Sequence, residues 1–204
     1  MRAREIMSVP VLTVTPETPV KRVAELLAAK GFTALPVVDG AGRLVGMVGE
    51  ADVVRGRIPV DPRFRTAAAE DEAPPPRTVG EVMTVPAVSV DAGADVAAVA
   101  RVMVAHRHRS LPVAAGGRVI GIVTRGDLVR VLARSDADLE TDVRRRLAVF
   151  GGPGRWSVRV DDGAVRITDR FDDPGDRHIA RVLAESVPGV VRAQVRRLEE
   201  GSRA

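Results

Sequence analysis

The 204-residue chain is 45% apolar, enough for a packed core, and carries 31 Lys and Arg against 27 Asp and Glu, a net charge of +4. Cysteine is absent and aromatics are only 2%, which excludes disulfides, thiol chemistry, cysteine-type zinc sites and base-stacking platforms for nucleic acid. The pI near 10.7 adds no argument for nucleic acid: nearly every cation is Arg and Tyr and Cys are missing, so little titrates between His and Arg. No run approaches the roughly 18 apolar residues of a membrane helix. Met1-Arg2-Ala3-Arg4-Glu5 opens no apolar signal region, so the expected location is cytoplasmic.

In chain order, Val11–Val14 reads as a short strand. Thr18 is the expected N-cap of a helix from Pro19 to Lys30, ended by Gly31. Ala34–Val38 and Leu44–Val48 read as a hairpin around Asp39-Gly40-Ala41-Gly42, followed by a helix from Glu50 to Arg55. Residues 57–78, with Pro59, Pro62, Pro74-Pro75-Pro76 and the alanine-rich charged piece Ala67–Ala73, read as a linker or insertion. A helix over Asp95–His106 follows, then a hairpin turning at Gly116-Gly117. Val119, Ile120, Ile122 and Val123 suit a buried strand that runs into a helix from Arg125 to Arg134. Beyond the connector Ser135–Asp138, a helix is expected over Leu139–Phe150, broken by Gly151-Gly152-Pro153-Gly154. That glycine run lacks the Lys-Ser/Thr of a P-loop. A hairpin around Asp162-Gly163, a helix Asp176–Glu185 with Ile179, Val182 and Leu183 inward, and a last strand Ala193–Leu198 complete the chain.

The first two-thirds repeats itself. Ile6-Met7-Ser8-Val9-Pro10 parallels Val82-Met83-Thr84-Val85-Pro86, Leu35-Pro36-Val37 parallels Leu111-Pro112-Val113, and Gly46-Met47-Val48-Gly49-Glu50-Ala51-Asp52 parallels Gly121-Ile122-Val123-Thr124-Arg125-Gly126-Asp127. The offset of about 75 residues holds throughout, the mark of duplicated units. Each unit alone, strand–helix–strand–strand–helix, would bury little surface, so two of them are expected to pair about a pseudo-twofold axis and leave a cleft. Two readings of Thr124 and Asp127 stand side by side. In one, Thr124 caps the helix and Asp127 reaches back as a capping box. In the other, the Thr hydroxyl and free amides of the helix start meet phosphate, while the Asp carboxylate accepts from ribose hydroxyls.

The pattern Met-x-x-Pro, helix, Leu-Pro-Val, Gly-h-h-x-x-x-Asp (h, apolar) resembles the CBS domain, over about residues 5–56 and 79–134. The expected fold class is α+β: two βαββα CBS units packed as a pseudo-twofold pair (a Bateman module), with a small α/β domain behind them. The expected divisions are 1–56, 57–78, 79–134 and 135–204. The resemblance implies a non-catalytic regulatory protein that binds AMP, ADP, ATP or S-adenosylmethionine between the repeats and requires no cofactor. It assigns Thr124 to phosphate and Asp127 to ribose, sets Arg109 and Ser110 near the ligand, and makes Met7, Leu12 and Phe32 apolar walls for adenine. The bland reading of those three is core. A weaker second site is centred on Asp52, where Gly49 replaces the hydroxyl residue; His108, matching Phe32 in the other repeat, is a phosphate contact in this reading. Otherwise His106, Arg107, His108 and Arg109 form a solvated basic helix end. Dimerisation through CBS helices is likewise implied by the family. The alternatives are a ligand-free structural or interaction dimer and a membrane-surface adaptor.

Residues 139–199 resemble a BON domain through Val-x-Val-x-x-Gly-x-Val-x-Ile and Val-Pro-Gly-Val-Val-x-x-Gln-Val, with Asp169 standing near the family's second Gly. That resemblance implies a phospholipid or protein partner. Arg144-Arg145-Arg146 is the candidate lipid contact, at about 1 kcal/mol per charge; otherwise it is a solvated helix face offset by Asp138, Glu140 and Asp142. No catalytic signature and no histidine spacing for a metal are present.

Overall fold

The computed structural model describes residues 1–55, 57, 58, 61, 63, 74–152, 154–171 and 173–198. The Ala67–Ala73 piece of the expected linker, Pro59, Pro62, Pro153 and residue 199 lie outside the described residues. The chain divides into two compact units, Arg2–Arg125 and Gly126–Ala204.

In the first unit, α1 (Val20–Lys30) puts Val20, Val23 and Leu27 on one buried face and ends where Gly31 takes φ +64°, a left-handed value that glycine adopts without Cβ strain. Pro19, at φ −60° and ψ 136°, is the N-cap; Thr18 instead accepts the Thr15 amide at 3.0 Å through Oγ1. The cap therefore sits one residue later than the Pro-at-first-position rule suggests. Strands β1 (Ala34–Val38) and β2 (Leu44–Gly49) pair antiparallel, and α2 (Glu50–Val54) follows. Val11–Val14 is not a strand: only Val14 bridges, in parallel with Val37. In the second repeat, β3 (Val90–Asp91) runs parallel to β4 (Ser110–Ala115), which pairs antiparallel with β5 (Arg118–Thr124). Helix α3 (Val96–Ala105) buries Val96, Val99 and Met103.

The two repeats exchange their leading segments. The Ala3 amide donates to the Ala94 carbonyl at 2.8 Å and the Arg4 amide to Ala92 at 3.0 Å; the equivalent Val79 amide reaches Thr18 at 2.9 Å and Gly80 reaches Pro16 at 2.8 Å. Further along, Ser8 bridges Ile122 while Thr84 bridges Met47. Val79, Val82 and Met83 thereby join the core of the first repeat with Val23, Leu27, Leu35, Val37 and Val48. Apolar burial drives this exchange, because it lets each short sheet complete its core with residues from the other repeat.

Helix α4 (Arg125–Leu132) follows β5 directly, and the division between units falls in its first turn. In the second unit, α5 (Asp136–Val149) begins earlier than its apolar stripe suggests. Ser135, expected in a connector, is its N-cap, accepting the Asp138 amide at 3.2 Å. Strands β6 (Trp156–Asp161), β7 (Ala164–Asp169) and β8 (Arg192–Arg197) form a sheet in that order, β6/β7 antiparallel and β7/β8 parallel, with α6 (Pro174–Glu185) as the crossover. Leu139, Val143 and Leu147 of α5 and Ala180 and Ala184 of α6 cover Val158, Val165 and Ile167. Ile179 and Val182, expected inward, are 42% and 50% exposed. The small side chains of Ala180 and Ala184 set the contact face of α6, with Leu183 half-buried at its margin.

Candidate functional site

Thr124 is the last residue of β5 and stands opposite Ser110, the first residue of β4, which is 8% exposed. The hairpin register thus brings these two hydroxyl residues together. The Arg125 amide, next along, donates to the Arg109 carbonyl at 3.0 Å, as the Glu50 amide does to Thr33 at 3.1 Å in the first repeat. Asp127 lies in the first turn of α4. Only 3% exposed, it accepts from Arg130 Nη1 at 2.7 Å across one helical turn. A carboxylate so buried needs charged or hydrogen-bonding partners.

The first repeat differs. Asp52 Oδ2 accepts the Gly49 amide at 2.9 Å, the carboxylate half of a capping box, and Arg55 stands 3.9 Å from its other oxygen. No hydroxyl accompanies it at Gly49.

Arg109 reaches across the repeats to Glu50, Nη1 to Oε2 at 2.9 Å, with both side chains more than half exposed. Met7 packs on Gly121: a Cβ there would stand 2.5 Å from Met7 Sδ. The equivalent Met83 packs on Gly46, where a Cβ would stand 2.7 Å from its Sδ. Half-buried Met7 thus packs between the repeats. Leu12 and Phe32 are 38% and 40% exposed, surfaces open to a partner or ligand. The His108 and His106 rings lie 6.0 Å apart, and Arg107 between them has φ +57°.

Sequence reasoning missed Arg125. Its Nε donates to the His108 carbonyl at 2.9 Å and its Nη2 to the Met103 carbonyl at 3.0 Å, so it satisfies carbonyls at and beyond the end of α3. The signal was a cation at an unassigned position of Gly-h-h-x-x-x-Asp. Arg144, Arg145 and Arg146 each have protein partners: Arg144 holds Glu140 at 2.6 Å, Arg145 holds Asp142 at 3.1 Å, and Arg146 bonds Ser186. Two of the three thus have carboxylate partners and Arg146 a hydroxyl, while Asp142 is shared with Arg134. Among the described residues no group of three or more His, Cys, Asp or Glu is arranged to hold a metal. No described helix is long and apolar enough to cross a membrane.

Two exchanged repeats, each ending in Gly-h-h-x-x-x-Asp, coincide with the family model for the CBS domain, which matches residues 3–58 and 79–134. The chain belongs to the CBS domain family. The CBS pair is 30% identical over 136 residues to an uncharacterized protein of Methanocaldococcus jannaschii, covering 65% of this chain and 32% of that one. The chain thus spans about a third of that relative's length. Among solved CBS pairs, CBSX2 of Arabidopsis thaliana in complex with AMP is 30% identical with a TM-score of 0.52, covering 63% of this chain and 93% of that one. A second CBS pair, in complex with 5′-methylthioadenosine and S-adenosyl-L-methionine, is 26% identical with a TM-score of 0.52, covering 64% and 94%.

Proposed function

We infer that this chain is a non-catalytic regulatory sensor whose CBS pair binds one adenosine ligand of the AMP, ADP, ATP or S-adenosylmethionine class. Thr124 serves the phosphate or its equivalent, and Asp127 the ribose hydroxyls. The observation that carries the reading is the inequality of the two repeats. Thr124 supplies a hydroxyl beside Ser110, whereas Gly49 at the equivalent position supplies none. The ligands of the AMP-bound and S-adenosylmethionine-bound relatives support the ligand class. Ligand acts only as far as its affinity differs between two states of the protein. The output is a dimer formed through CBS helices or the C-terminal unit, whose helix–strand–strand–helix–strand order supports the BON-like reading.

A second reading, a ligand-free interaction module in the cytoplasm, is favoured by one observation: Arg109 and Met7, both expected at ligand, already have protein partners in Glu50 and Gly121. A thermal-shift titration with AMP, ADP, ATP and S-adenosylmethionine separates the two. At about 100 times its dissociation constant, a ligand adds about 2.7 kcal/mol. A saturable shift, absent from a folded Asp127→Ala protein, supports the sensor; no shift with any of the four supports the interaction module.

A further inference from the structure

We propose that the free edge of β8 receives an extended acidic segment of a partner protein as an added strand. Strand β8 ends the sheet order β6-β7-β8, so its outer backbone groups face away from β7. The Ala193 amide already points outward, donating to Glu185 Oε1 at 3.3 Å. Strand alternation turns the Val195 amide the same way. A carboxylate on the edge amide is thus built into the fold at one end.

Hollows lie on both sides of this edge. One, of about 450 Å³, runs between α6 and β8 and is lined by Arg177, His178, Arg181 and Arg196 among others. The other, of about 180 Å³, lies on the open sheet face between Arg166, Thr168, Gln194 and Arg196. Side chains of an added strand alternate between the two sides, so consecutive carboxylates would each meet a guanidinium. Arg181, Arg192 and Arg196 have no carboxylate partner among the described residues. On the same open face Arg159 stands directly opposite Arg166, whose Nη2 lies 3.6 Å from Asp161 with both side chains more than two-thirds exposed.

The chemistry of the face selects the occupant. Ser157, Thr168 and Gln194 are its uncharged polar members, and no aromatic ring offers a base platform. An acidic extended peptide uses what is present: edge amides, and cations on both sides.

The test uses the full chain and a fluorescein-labelled peptide of about ten residues, Glu and Asp interspersed with Val and Thr. Saturable anisotropy is expected, weakening by about tenfold or more when alternate peptide amides are N-methylated, and likewise in Arg181→Glu/Arg196→Glu. Val195→Pro removes the outward amide while sparing the β7 side, and is expected to weaken binding similarly. Trp156 fluorescence and the melting temperature establish that each variant is folded; if Val195→Pro is not, the double Arg variant decides. The proposal is overturned by absent saturable binding, by equal affinity for the N-methylated peptide, or by unchanged affinity in the folded double variant. Binding to anionic phospholipid vesicles that the peptide does not compete with would also overturn it.

Discussion

Replacing Asp169 with Ala removes the most deeply buried charge among the described residues of the C-terminal unit. Asp169 is 0% exposed and accepts from Arg155 Nε at 3.0 Å, Arg155 Nη2 at 3.1 Å and the Phe171 amide at 3.1 Å. Arg155, 11% exposed, also donates to Asp176 at 2.6 Å and lies over the Trp156 ring at 4.3 Å. Truncating one partner of a buried ion pair costs about 3–5 kcal/mol, because the other charge is left in a poorly hydrated site. Asp176 keeps Arg155 partly paired, so the lower end, about 3 kcal/mol, is expected. For a unit of this size that lowers the melting temperature by about 12–24 °C. Trp156, the chain's single tryptophan, is 8% exposed and reports the transition from within the unit. A loss below about 1 kcal/mol, the value of an exposed pair, would refute the assignment of this network as the clamp between β6, β7 and α6. An Arg155→Met/Asp169→Ala protein should lose less than the sum of the single changes.

The same carboxylate gives a pH dependence. Burial raises the Asp169 pKa, but hydrogen bonds from Arg155 and Phe171 and the Arg155 and Arg177 charges outweigh it, leaving a net value below the ordinary carboxylate range. Its contribution is therefore full above about pH 4 and lost as pH falls through the lower folded value, so urea midpoints read by Trp156 should fall in acid for wild type and less steeply for Asp169→Asn. Gly121→Val should destabilise the CBS pair by about 1–3 kcal/mol through overlap with Met7, partly restored by Met7→Ala in a calorimetric double-mutant cycle. Arg109→Ala should cost under about 1 kcal/mol in chemical denaturation, since both it and Glu50 are largely exposed; a larger loss would mark the pair as a structural link between repeats.

The repeat itself was legible from pattern. Leu35-Pro36-Val37 and Leu111-Pro112-Val113 recur as fully buried strand segments, and Gly46 and Gly121 recur because a methionine packs directly on each backbone. The exchange of leading segments was not legible, since Ala3 and Val79 pair across the repeats and periodicity reports only local faces. On α6 the rule that large apolar residues point inward failed: close contact selected Ala180 and Ala184 and left Ile179 and Val182 outside. Asp169 read as a departure at a turn because sequence cannot tell that Arg155, fourteen positions earlier, meets it in the core. At the candidate site the Thr124–Asp127 spacing was visible, but the partners of Met7, Arg109 and Asp52 depend on the fold.

The most direct test of the sensor account is titration calorimetry of AMP, ADP, ATP and S-adenosylmethionine into wild type, Asp127→Ala and Asp52→Ala, with folding of each verified by Trp156 fluorescence and by thermal unfolding of the CBS pair. The account predicts one site per chain for at least one ligand of the class, lost in Asp127→Ala and retained in Asp52→Ala. Binding that survives Asp127→Ala and disappears in Asp52→Ala, or no heat of binding with any of AMP, ADP, ATP and S-adenosylmethionine, would contradict it.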